Sequence, residues 1–425
     1  ADWRGGLPIT YHVGPGPSKA RLTLKFDWSS RPIYNVLARI DGSLYPDEWV
    51  IYGNHHDAWV SGAADPTSGN VALMEVGRAF GTLLSQGWRP KRTIILASWD
   101  AEEWGLIGST EWAEKHQADL RDKAVAYINT DSNSKGWLNA GGSHSLERFV
   151  TEVARDITDP KTGESVLAAA KKRRQSQAAT EERKKEIAGR ATLAIGALGS
   201  GSDYTVFIDH LTIASLNMGY SGAARGGVYH SAYDSFDWYT RFSDTTFEYG
   251  RALSQTTGTA VMRLAGASVL PFSFIESVET VSGYLDEIEE THGGITDAPV
   301  LDFVSMRRAI DAYRAAAQRY ESAVQAAAGK GDWDVTAMQK VNTILYQTER
   351  ALGYEKGLPK RGWYKHQIYA PGLDTGYGVK TIPGVREGIE RNNWDEARTM
   401  MEVVQAALAR IAQQVESAAV ILETF

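Results

Sequence analysis

The chain has 425 residues, enough for two or three domains and a full-sized core. Its 45 basic and 52 acidic residues give a net charge of −7 with no dominant basic patch, which argues against a nucleic-acid partner. No apolar run approaches membrane-spanning length, and with no cysteine in the chain any metal must be held by histidine and carboxylates.

Residues 1–30 are rich in Gly and Pro, then alternate over 20–28, which predicts a loop followed by an edge strand. The start has neither a basic nor an apolar leader region and reads as the middle of a longer polypeptide or a processed end. Strands are expected at 33–41 and 48–52. A helix is expected at about 68–86, with Leu73, Val76, Phe80 and Leu83 on one face. A buried strand at 92–99, a helix at 106–117 and a strand at 124–129 continue the alternation. The pattern predicts an α/β domain with a mixed, mostly parallel sheet and flanking helices. Residues 158–190, dense in Lys, Arg, Glu and Gln, read as a solvated helical excursion. The α/β pattern resumes near 193, with a strand at about 211–215.

From about residue 272 the chain becomes nearly all helical, with helices expected at 303–328, 335–352 and 394–419, a bundle pattern. The domain boundary is placed between residues 270 and 271, giving a domain at 1–270 and a helical one at 271–425. The aromatic-rich stretch 357–384 is expected to be an ordered loop.

Six residues at or just past predicted strand ends, or in loops, carry the chemistry: His55, Asp65, Glu102, Glu103, Asp131 and His230. His55 follows a strand, and Asp57, two residues on, can accept its other ring N–H and fix the tautomer. His56 points the other way and is taken as structural or exposed. Asp65, before Pro66, can give one oxygen to each of two metals; its alternative role is a helix N-cap. Of the glutamate pair, Glu103 suits a ligand and Glu102 a general base that takes the proton of a metal-bridging water. The competing reading is a pair of acids stabilised by a helix N-terminus. Together the six supply five ligands and one spare carboxylate, the inventory of a two-metal hydrolase.

Several stretches carry a resemblance to a known family. They include Ala97-Ser98-Trp99-Asp100-Ala101-Glu102-Glu103, Gly108-Ser109-Thr110-Glu111-Trp112-Ala113-Glu114, Leu198-Gly199-Ser200-Gly201-Ser202-Asp203 and Tyr229-His230-Ser231. Across almost its whole length the chain resembles the zinc aminopeptidase/carboxypeptidase family M28. The match is to its glutamate carboxypeptidase II (N-acetylated-alpha-linked acidic dipeptidase) branch, which also holds the transferrin receptor. The resemblance implies two zinc ions bridged by Asp65, one held by His55 and Asp131, the other by Glu103 and His230. It implies that Glu102 is the base, that Tyr229 hydrogen-bonds the tetrahedral intermediate, and that Leu106, Gly201 and Tyr377 line the substrate pocket. It further implies a cis bond after Asp65, a peptide substrate, and a homodimer made through the C-terminal helices.

Three departures from the family pattern bear on specificity. Gly376 stands where the glutamate-selective enzyme has a lysine, and Ser215-Leu216-Asn217-Met218-Gly219-Tyr220 replaces an arginine-rich stretch. Neutral or apolar residues are therefore expected beside the scissile bond. The family's N-terminal portion is not among these residues and is expected to be a separate chain or to have been lost; Glu111 and Glu114 match a calcium site whose other ligands would lie there. The alternatives are a non-catalytic receptor or scaffold of the transferrin receptor type, and a single-zinc amide chemistry such as glutaminyl cyclisation. The expected location is bacterial periplasmic or secreted.

Overall fold

The computed structural model describes residues 8–10, 12, 14–17, 19–224, 226–328 and 334–424. The chain forms two units, Ala1–Ile33 and Tyr34–Phe425. In the first unit the described residues form no helix or strand, and Leu22, Leu24, Phe26 and Trp28 are exposed. The alternation over 20–28 therefore does not become the expected strand, because a pattern of side chains does not supply a backbone partner.

The second unit is built on a six-stranded sheet of β1 (Val36–Ile40), β2 (Tyr45–His55), β3 (Arg92–Trp99), β4 (Ala124–Asn129), β5 (Gly136–Gly142) and β6 (Ser215–Gly222). Their order is β1-β3-β2-β4-β6-β5. The four central strands run parallel, and β1 and β5 lie antiparallel at the edges. Strands buried on both faces read as continuous apolar runs, as at Val50–Tyr52 and Ile94–Ala97, all buried.

Helices α1 (Ser68–Ser85), α2 (Ile107–Lys115), α3 (Gln117–Lys123), α4 (Glu147–Asp156), α5 (Val166–Gln177), α6 (Glu181–Gly189), α7 (Phe236–Phe242) and α8 (Glu248–Gly266) surround the sheet. One face is covered by α1 and α8, which bury Leu73, Val76, Phe80, Leu253, Val261 and Leu264. Over the other face lie α2 and the turn Val206–His210. There Phe207 stacks on Tyr127 at 3.9 Å and Trp112 packs on Trp99 at 5.2 Å.

The C-terminal part holds α9 (Ile275–Gly293), α10 (Phe303–Ala328), α11 (Val335–Gln347), α12 (Pro383–Glu390) and α13 (Trp394–Glu423), with a small hairpin of β7 (Tyr369–Pro371) and β8 (Val379–Thr381). Helix α13 packs against α10, α11 and α12. Its Val404, Leu408, Ile411 and Val415 recur at helical spacing and are buried, as are Ile310, Tyr313, Ala317 and Tyr320 of α10. Arg148 of α4 ties the two parts together through Glu276 of α9, at 2.9 Å, and Glu321 of α10. Parallel β2, β3 and β4 are in register, with His55 opposite Trp99 and Gly53 opposite Asn129. Their carboxyl ends therefore form one rim.

Candidate metal centre

Each donor rises from that rim or from a loop beside it. Asp65 sits in the turn Ala63–Thr67 before α1, and the Asp65–Pro66 bond is cis. Glu102 and Glu103 follow β3, and Asp131 follows β4. His230, with φ of 53°, lies in the loop between β6 and α7.

The side chains converge as two groups that share Asp65. One holds His55, Asp65 and Asp131; the other holds Asp65, Glu103 and His230. His55 Nε2 lies 3.3 Å from Asp131 Oδ1 and 3.5 Å from Asp65 Oδ1. His230 Nε2 lies 3.1 Å from Asp65 Oδ2 and 3.0 Å from Glu103 Oε2. The two oxygens of one carboxylate thus face different donor groups. Zinc bonds to nitrogen and oxygen are about 2.0–2.2 Å, so tetrahedral ligand atoms lie about 3.3 Å apart. The observed separations bracket that value. Glu103 Oε1 is buried without a hydrogen-bond partner, as are both carboxylate oxygens of nearby Asp203. Carboxylates outnumber imidazoles throughout the cluster. Imidazole and carboxylate donors, crowded acids and orphaned oxygens together fit a divalent cation of the zinc type.

The electrostatics follow from the crowding. Burial pushes Glu102 up to about 9, with Asp203, Asp131 and Glu103 adding to it and His55 opposing. Burial likewise raises Asp65, Glu103 and, to about 7, Asp203. Burial lowers His55, but hydrogen bonds to Asp131, Asp57 and Asp65 outweigh it and raise the imidazole overall. Burial and four surrounding carboxylates raise Tyr229 to about 12, so its hydroxyl stays a donor.

A supporting set of hydrogen bonds fixes the loops. His55 Nδ1 is 3.0 Å from the main-chain oxygen of Asp57 and 3.4 Å from its carboxylate, so the carbonyl is the better-placed acceptor. The Asp57 carboxylate instead accepts from the main-chain N–H of Glu102 and of Glu103, at 2.9 and 3.2 Å. Asp234 plays the matching part on the other side. It accepts from the N–H of Ala64 and of Asp65, at 2.8 and 3.0 Å, four residues after His230. A buried relay runs from Trp99 Nε1 to Tyr127, to Asn129, while the amide of Asn129 donates to Ser202, and Ser202 Oγ donates to Asp131 at 2.7 Å. Sequence reasoning gave no role to Asp234, Asn129, Ser202 or Asp203, although Ser202 and Asp203 stand in one of the stretches that carry the resemblance.

The remaining expected site residues are also placed. Tyr229 stacks on the ring of His230 at 3.7 Å. Tyr377 lies beside Gly201, where a Cβ would be 3.4 Å from its ring, and its carbonyl accepts from Ser200 N at 3.1 Å. Leu106 caps α2 with φ of 60° and donates its N–H to the carbonyl of Glu102 at 2.7 Å. Among the described residues Glu111 and Glu114 join no cluster of three donors, and Glu114 accepts from Trp363 Nε1 at 2.7 Å. His56 is exposed, with Nδ1 2.9 Å from Ser98 Oγ. Two cavities flank the donors. One of about 240 Å³ reaches Asp131 and the 217–221 segment; one of about 270 Å³ reaches Asp65, Tyr229 and Asp234.

A strand-end rim carrying paired histidine–carboxylate donors defines a metal-dependent hydrolase scaffold, and residues 35–248 match the model of peptidase family M28. The chain belongs to that family. Residues 301–416 match the transferrin receptor-like dimerisation domain. Curated relatives include the probable glutamate carboxypeptidase LAMP1 of Arabidopsis thaliana, 32% identical over 97% of this chain and 57% of that protein. A probable glutamate carboxypeptidase of Arthroderma benhamiae is 35% identical over 96% of this chain and 54% of its own length. The aminopeptidase NAALADL1 of Rattus norvegicus is 32% identical over 96% and 57%. The chain thus spans a little over half the length of these relatives, and it sits in the glutamate carboxypeptidase/transferrin receptor-like branch.

Proposed function

We propose that this chain carries the centre of a two-zinc exopeptidase that hydrolyses small peptides without selectivity for glutamate. The observation that carries this reading is the division of Asp65, one oxygen toward His55 and Asp131, the other toward His230 and Glu103. Bound zinc ions would supply Lewis acidity to the attacking water and the scissile carbonyl, and would offset the carboxylate charge that adds to the effect of burial on Glu102. Glu102, buried with Oε2 3.9 Å from His55 Nε2, takes the proton of the attacking water as the C–O bond forms and passes it to the leaving amine as the C–N bond breaks. Tyr229 donates its hydroxyl proton in a hydrogen bond to the oxyanion. Asp57 and Asp234 hold the donor loops in place through main-chain N–H groups.

The selectivity follows from the cavity at Asp131. Among the described residues its lining, which includes Asn139, Asn217, Met218 and Tyr220, contains no cation. An acidic side chain bound there would lose its hydration without gaining a partner. Leu106, Gly201 and Tyr377 are proposed to shape the pocket for the other side of the bond. We retain 1–270 as the peptidase part and 271–425 as the helical part, through which two copies pair. Calcium at Glu111 and Glu114 would require further ligands from another chain or segment.

The test combines metal analysis with dipeptide hydrolysis. The wild type is expected to hold two zinc ions per chain and to cleave neutral dipeptides faster than those with glutamate. Glu102→Gln is expected to keep its zinc and lose about 10²- to 10⁴-fold in turnover. An unchanged rate in Glu102→Gln removes the base, and a ratio of one zinc per chain removes the two-metal reading.

A further inference from the structure

The charged stretch read as a solvated helical excursion also borders a cleft. Helices α5 and α6 and the segment after them line an open cleft of about 550 Å³, within the range of small-molecule sites. Lys171 and Arg174 of α5, Arg183 of α6 and Arg190 all line it, and Glu186 is the only acid in its lining among the described residues. It shares no lining residue with the two cavities at the metal donors.

The charges do not balance. Arg183 pairs with Glu186 at 2.6 Å, and Arg190 pairs with buried Glu147 at 2.6 Å. Lys171 donates to the carbonyls of Arg190 and Ala191, at 2.6 and 3.2 Å, and Arg174 donates to that of Ala194. Carbonyls satisfy these N–H groups without neutralising the charge, and Arg174 has further donors to offer. Burial lowers both groups below their ordinary values; Arg190 acts in the same direction on each. Ile187, Leu193 and Ile195 add apolar surface to the same lining. Helix α6 has no buried residue, so side-chain packing does not fill the gap.

We propose that this cavity binds an organic phosphate monoester, with the dianionic head against Lys171 and Arg174 and the carbon body against Leu193 and Ile195. The site does not depend on the peptidase reading. The competing account is a solvent-filled gap whose cations only clamp α5 to the following segment.

The test uses the full chain with zinc, titrated calorimetrically with phenyl phosphate and with inorganic phosphate at constant ionic strength, and with sodium chloride as control. Saturable binding is expected, with phenyl phosphate about tenfold tighter than inorganic phosphate because its ring is buried. Arg174→Gln, which keeps an amide to reach Ala194, is expected to weaken binding by tenfold or more while leaving zinc content unchanged. Arg183→Glu, on the exposed helix, is expected to weaken it as well and covers a folding failure of the first variant. Three results overturn the proposal: no saturable binding, a response that chloride reproduces, or affinity that both variants leave unchanged. The last would put the anion elsewhere, the metal centre included.

Discussion

Two aspartates that hold no metal decide how well the donors are held. Asp57 binds the main chain of the Glu102–Glu103 pair, and Asp234 binds the main chain at Ala64 and Asp65. Each grips two successive N–H groups, so a neutral amide at either position must turn its own N–H₂ toward one of them. Asp234→Asn is therefore expected to lower zinc affinity by about 10- to 100-fold, the usual cost of losing outer support around a metal ligand. Competition with a chromophoric chelator measures it. Unchanged affinity would show that the turn Ala63–Thr67 holds Asp65 without help from Asp234. The five donors that converge, His55, Asp65, Glu103, Asp131 and His230, stood out as candidates in the sequence because imidazoles and carboxylates at strand ends are readable. Asp234 and Ser202 were not, because their partners lie 169 and 71 residues away and only the folded sheet brings them close.

At the scale of the element, α1 is held to the rim by its first turn. A Cβ on Gly69 would stand 1.8 Å from the main-chain oxygen of Asp131 and 2.3 Å from Asn54 Oδ1. Backbone cannot yield there, so Gly69→Ala should destabilise the fold by about 1–3 kcal/mol and displace the Asp131 loop. Gly81, exposed in the same helix, meets nothing within 4 Å. Gly81→Ala should stabilise by up to about 1 kcal/mol. Denaturant melts of both variants check the opposite signs, and a common sign would refute the contact argument. The helix itself was visible in its apolar period, but which glycine touches the rim was not. The strand expected at 211–215 shows a different limit. Leu211, Ile213 and Ala214 are buried as an apolar run should be, yet Thr212 has φ of 53° and the strand begins only at Ser215. Burial and extended pairing give the same apolar signal over so few residues. Strand β5 escaped notice for the reverse reason, since Gly136, Gly141 and Gly142 weaken its strand pattern.

For the whole molecule, the helical part is read as the surface through which two copies associate, and sedimentation equilibrium should give twice the mass of a single chain. A monomer at micromolar concentration would overturn that reading. The helical character of 303–328 and 394–419 was plain from the sequence, while its contacts with the sheet were not. Arg350 donates to the carbonyls of Leu120 in α3 and of Ala124 at the start of β4, at 3.2 and 2.6 Å. At the opposite end of the strands, the Tyr377 loop rests on Ser200 and Gly201, directly before the serine that holds Asp131. The same C-terminal part therefore grips the sheet at its foot and, at its rim, rests on the loop whose Ser202 holds Asp131. A hybrid in which a relative's association module replaces this one would thus inherit a new support for the Ser200–Ser202 loop along with a new helical surface, and its hold on Asp131 is expected to change together with its quaternary state.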